Sequence, residues 1–150
     1  MRILALDAAT AMCSAAVLDD GRVVAHRLER LGRGHAERLL PMVLEVLADA
    51  GLGFSALDRL AVTIGPGTFT GVRIGLATAR GLALAADRPL IGVTTLETLA
   101  FDALAFAAEA QSVAAVVAAG RGRVYVQVFG PDLAPAGPPA ALELAEAARR

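Results

Sequence analysis

Short apolar runs bounded by turn residues alternate with longer stretches of helical spacing along most of the chain. Residues 2–6, closed by Asp7, have the length and composition of a buried strand. Residues 13–18 and 22–28 read as two more, and Asp19-Asp20-Gly21 between them is a hairpin signal. The chain therefore opens on an antiparallel meander. Over residues 35–50 the spacing becomes helical, with Gly51 as the stop. Pro41 would kink that helix unless it sat in the first turn, which moves the expected start toward Leu39.

Residues 60–64 predict a fourth strand, 68–86 a second helix with Thr68 as its cap, and 89–93 a fifth strand. A third helix over 95–108 follows, capped by Thr94 or Thr95. This order of elements implies a mixed sheet flanked by helices, with strands parallel wherever a helix intervenes. Residues 112–118 and 123–129 repeat the opening hairpin around Gly120-Arg121-Gly122. Beyond Gly130 the chain turns Pro- and Ala-rich and ends in a short helical stretch over 142–150. The expectation is an α/β protein. Residues 1–109 form a lobe with a mixed five-stranded sheet, and 110–150 an abbreviated second lobe.

The two N-terminal helices are unusual. Gly71, Gly75 and Gly81 interrupt the second, each at about 1 kcal/mol relative to alanine. Close approach of another backbone would justify that cost, and Gly71, Gly75, Thr78 and Ala79 share one face. The first helix carries Ala36, Leu39, Leu40, Val43, Leu44, Val46, Leu47 and Ala50 over roughly 160° of its circumference, where a surface helix needs about 100°. The excess is either a deep core or a second face for another chain. With a small-residue helix beside it, the second reading is favoured. The expected partner interface comprises His35, Leu39, Leu40, Val43, Leu47, Gly71, Ile74, Gly75, Thr78 and Ala79.

Candidate chemistry is sparse. Asp7-Ala8-Ala9-Thr10 lies where a strand-end hairpin could hold phosphate, but its plainer reading is a hydrogen-bonded turn, because no glycine admits a phosphate to the backbone. Residues 65–71, GPGTFTG, lack the lysine of a Walker A loop. Their amides at a helix N-terminus could hold an anion. The structural alternative is a stiff strand-to-helix turn with Phe69 filling the core. Asp7, Thr10, Gly67 and Thr68 are thus the candidate nucleotide or anion ligands. A metal pair on the first helix would need a ligand four residues after His35, and that position is Leu39. Glu37 and Arg38 read as solvated charges, and Cys13 as core. No catalytic set emerges.

Composition narrows the function further. The hydrophobic fraction is 56% and aromatics 4%, so the core is aliphatic and the composition argues against disorder. A net charge of −1 gives no electrostatic case for the chain holding nucleic acid by itself. All 14 basic residues are arginine, which removes lysine-based mechanisms. One cysteine forms no internal disulfide, and a reducing cytoplasm is the expected home. Asp7 comes too early for a signal peptide. The mean hydropathy of +0.59 looks membrane-like, yet charges break every run of spanning length, so extra surface buried between subunits is the expected cause.

With those residues in view, the chain resembles the TsaB (YeaZ) family, the non-catalytic companions of the tRNA threonylcarbamoyl transferase TsaD. The resemblance rests on residues 2–7, RILALD, on residues 35–41, HAERLLP, and above all on residues 65–75, GPGTFTGVRIG. Residues 81–83 and 91–96 continue it, and it covers about residues 1–130. It implies an actin/Hsp70-like (ribonuclease H-like) lobe. It also implies a scaffold role in making N6-threonylcarbamoyladenosine on tRNA, with the two N-lobe helices packed on an equivalent pair of TsaD. Further implied are a TsaE-like ATPase as partner, ATP used by the complex rather than by this chain, and tRNA met only through the complex. Self-association through the same helices is an alternative. An actin-like nucleotide-dependent enzyme or a glycoprotease-like peptidase is the enzymatic rival. Where the family usually carries Asp-Ala-Arg, this chain has Ala118, Ala119 and Gly120, and its second lobe is shorter.

Overall fold

The computed structural model describes residues 1–107 and 109–149. Strands β1 (Arg2–Asp7), β2 (Met12–Asp19) and β3 (Arg22–Arg30) form the opening meander. The hairpin signal between β2 and β3 works because Asp20 and Gly21 both take the left-handed conformation, with φ of 47° and 79°. Helix α1 (His35–Asp49) follows, then β4 (Arg59–Thr63), α2 (Phe69–Ala86) and β5 (Leu90–Val93). The sheet order is β3-β2-β1-β4-β5, antiparallel across the meander and parallel from β1 to β4 and β4 to β5.

Register decides which side chains reach the core. Leu4 lies opposite Val17 on one neighbour and Leu60 on the other, and Leu6 opposite Ala15 and Val62. These positions form one buried face, since side chains paired across strands point the same way. Leu39, Met42, Val43, Val46 and Leu47 of α1, with Ala79 and Ala83 of α2, close over that face as a single apolar cluster. Both helices therefore sit on the same side of the sheet.

The second unit contains α3 (Thr95–Phe106), β6 (Val113–Gly120), β7 (Arg123–Phe129), β8 (Ala140–Glu143) and the short α4 (Leu144–Ala147). Its sheet is ordered β6-β7-β8 and antiparallel throughout. Leu96 and Ala100 of α3 pack with Ala115, Val117 and Phe129. Thr94 caps α3 in a complete capping box with Glu97.

Several expectations need correction. Helix α1 starts at His35 and continues past Pro41, which lies on the exposed side, where water can satisfy the freed carbonyl. The contact pattern assigns residues 1–64 and 68–93 to one unit and residues 65–67 and 94–150 to the other, so α3 belongs to the second unit and not to residues 1–109. The predicted ends of the third and last helices, Ala108 and Arg150, lie outside the described residues. The Pro- and Ala-rich tail supplies a strand that its helix-forming residues did not suggest. Pairing of Ala140 with Val126 and of Leu142 with Val124 overrides that local preference.

Candidate functional site

The interface expected from the two N-terminal helices divides in two once the fold is known. Leu39, Val43 and Leu47 are buried in the core beneath α1. Gly71, Gly75, Ala79 and Ala83 form the buried row of α2. A methyl group at Gly71 would stand 2.0 Å from the carbonyl oxygen of Ala8. One at Gly75 would meet Val62 Cγ2 at 3.6 Å and Ala8 Cβ at 3.8 Å. Close approach is why glycine stands at 71, but the approaching backbone is this chain's own β1–β2 loop, and at 75 a methyl would make only ordinary contacts. Leu39, Val43, Leu47, Gly71, Gly75 and Ala79 are thus corrected from partner surface to internal core.

What faces outward is a different set. On α1, Leu40 and Leu44 are 44% and 51% exposed and lie one turn apart. On α2, Phe69 and Leu84 are 75% and 85% exposed, with Arg73, Ala77 and Arg80 along the same side. Phe69 does not fill the core. Its ring carries the Arg73 guanidinium, whose carbon is 4.5 Å from the ring centroid. His35, Ile74 and Thr78 are part-buried between the two sets. The outward row of α2 lies opposite its glycine row, and glycines at 71 and 75 were the wrong signal for it. Phe69, Arg73, Ala77, Arg80 and Leu84 at spacings of three and four were the right one.

Electrostatics lock α1 in place. Arg38, read as a solvated charge, instead bridges strand and helix. Its Nε donates to Glu29 Oε2 at 2.9 Å, and its Nη1 to Glu45 Oε1 at 2.6 Å. Arg27 adds ion pairs to Glu45 and Asp49. The hydrogen bonds from Arg38 hold the carboxyls of Glu29 and Glu45 below their ordinary range. Between them Arg27 and Arg38 tie β3 to α1 and fix the outward orientation of Leu40 and Leu44.

The candidate anion ligands are engaged elsewhere. Asp7 Oδ1 accepts the Ala9 N–H at 2.9 Å and the Thr63 hydroxyl. Thr10 Oγ1 accepts the Met12 N–H at 3.1 Å, and Thr68 Oγ1 caps α2 by accepting the Gly71 N–H at 3.1 Å. The plainer reading of the Asp7–Thr10 segment as a hydrogen-bonded turn is what the geometry shows. A cavity of about 480 Å³ opens beside the first turns of α1 and α2, lined by Thr10, Arg33, His35, Glu37, Thr68 and Thr70 among others. Neither Asp7 nor Gly67 lines it. His35 Nε2 is buried without a hydrogen-bond partner among the described residues. Among those residues no cluster of three His, Cys, Asp or Glu side chains could hold a metal. Among the described residues no helix is long and apolar enough to cross a membrane.

A mixed five-stranded sheet with flanking helices, joined to a second small sheet, is the architecture of an actin/Hsp70-like α/β protein. The family described as TsaD, tRNA N6-adenosine threonylcarbamoyltransferase, matches residues 29–149. The structure of YeaZ from Pseudomonas aeruginosa superposes with a TM-score of 0.88 at 41% identity, over 95% of this chain and 67% of that one. The chain belongs to the TsaB/YeaZ family. The tRNA threonylcarbamoyladenosine biosynthesis protein TsaB of Escherichia coli K12 is 52% identical over 100 residues, which are 67% of this chain and 43% of that protein. The Haemophilus influenzae protein of the same description is 42% identical, over 83% of this chain and 52% of its own length. The chain spans about half the length of these curated relatives.

Proposed function

We propose that this chain is a non-catalytic scaffold subunit in the synthesis of N6-threonylcarbamoyladenosine on tRNA. It binds and activates a TsaD-like transferase through the outward face of α1 and α2. The observation that carries this reading is the exposure of Leu40 and Leu44 on α1 beside Phe69 and Leu84 on α2, in a member of the TsaB/YeaZ family. Exposed apolar side chains grouped on two neighbouring helices are what an association surface requires. In this reading the chain works in the cytoplasm, a TsaE-like ATPase joins the complex, ATP is consumed there, and tRNA is met only through the assembly.

The test is association with the cognate TsaD-like transferase and formation of the modified adenosine in the reconstituted system. Leu44→Arg places a charge on the exposed face without touching the core, and binding and modification should both fall. Unchanged binding would remove the docking face. Gly75→Leu is unsuited to this purpose, since its side chain would collide with Val62 and Ala8 inside the chain itself. Self-association through the same face is the competing outcome, read from the mass of the chain alone in solution.

A further inference from the structure

The outward row of α2 is not uniformly apolar. Arg73 and Arg80 are the only charged residues in Phe69–Ala86, and both are exposed. They are seven residues apart, which places them on one side of the helix and about 10 Å apart along its axis. Their helical neighbours at three and four positions are Phe69, Thr70, Leu76, Ala77, Ala83 and Leu84, so no acid on α2 can pair with either. Among the described residues no carboxylate forms an ion pair with them. Of the acids on α1, Glu45 is held by Arg38 and Asp49 by Arg27, while Glu37 forms no ion pair with Arg73 or Arg80 among the described residues.

Resting on the docking reading above, we infer that the partner surface covering α2 carries two carboxylates about two helical turns apart, which meet Arg73 and Arg80. The apolar residues Phe69, Ala77 and Leu84 lie between and beside the arginines. The complementary surface is therefore an apolar helix with acidic positions, lying along α2 while a more apolar element covers Leu40 and Leu44. RNA fits this row less well. Its phosphates would have to pass over Phe69 and Leu84, only two cations are present, and the chain as a whole carries a net charge of −1. Charges at such a position steer encounter and fix register more than they add affinity.

The experiment measures Kd for the cognate TsaD-like transferase against salt, for wild type, the double variant R73E/R80E, the charge-keeping R73K/R80K, and L44R. The expected result is a Kd about tenfold higher for the reversed variant at low salt, a flatter salt dependence, and near wild-type binding for the lysine variant. All the positions are exposed, and circular dichroism checks that the variants fold. If reversal changes nothing while L44R abolishes binding, the acidic partner is wrong and the docking face stands. If neither changes binding, both readings fall. Retardation of tRNA by the chain alone that is lost on reversal would overturn the inference in favour of RNA. A dimer of the chain alone that reversal dissociates, with no binding to the transferase, would overturn it in favour of a second copy.

Discussion

Helix α2 contains three glycines in three environments, and an alanine series through them separates propensity from space. Replacing glycine by alanine inside a helix gains about 1 kcal/mol wherever the methyl group fits. At Gly81 nothing lies within 4 Å of the new methyl, so the full gain of about 1 kcal/mol is expected. At Gly75 the methyl would reach Val62 Cγ2 at 3.6 Å, an ordinary contact, so burial adds to the gain and the total is about 1–2 kcal/mol. At Gly71 it would stand 2.0 Å from Ala8 O and 2.6 Å from Thr68 Oγ1. The obstacle is a backbone carbonyl next to Ala9, whose own carbonyl accepts the Thr68 N–H at 2.7 Å, so it cannot turn aside as a side chain would. Overpacking costs typically about 1–3 kcal/mol, here at the upper end, and Gly71→Ala should be destabilised by about 2 kcal/mol net. Urea unfolding followed by helical circular dichroism gives the three values from the shifts in midpoint. A Gly71→Ala protein as stable as wild type would refute the assignment of that glycine to the chain's own loop.

Arg38→Ala should lower stability near neutral pH, and the deficit should shrink on acidification. Glu29 and Glu45 are depressed in the folded state, so their contribution is present above the ordinary carboxylate value of 4.5 and is lost as pH falls through their lowered values. Thermal melts of both proteins between neutral and acidic pH should converge, and parallel curves would contradict the clamp. Thr94→Ala removes the cap of α3 and should cost about 1 kcal/mol, read as earlier hydrogen exchange across α3 than across α2. Cys13 is fully buried and its thiol is pushed up, chiefly by that burial, so it should resist alkylation in the folded protein and react once urea unfolds it. Rapid labelling under native conditions would place it outside the core.

Much of this molecule was legible one residue at a time. The left-handed turn at Asp20-Gly21, the Thr68 cap and the short apolar runs of β1 and β2 all follow from preferences that act within a few residues, and the structure chooses Thr94 over Thr95 as the cap of α3. Sequence also pointed to a close approach to α2, and the structure confines that requirement to Gly71, since a Cβ at Gly75 would make only ordinary contacts. What it could not say is by whom. That answer depends on the parallel pairing of β1 with β4, which carries Ala8 and Val62 beneath α2. The same long-range register decides that Leu39 and Val43 are core while Leu40 and Leu44 are surface, although all four lie on one broad apolar arc. It also makes a strand of Ala140–Glu143, whose composition favours a helix. Local preferences specify elements because their energies arise between near neighbours. Which side of each element is free to meet another molecule is settled by contacts between distant parts of the chain, and only the folded structure brings those together.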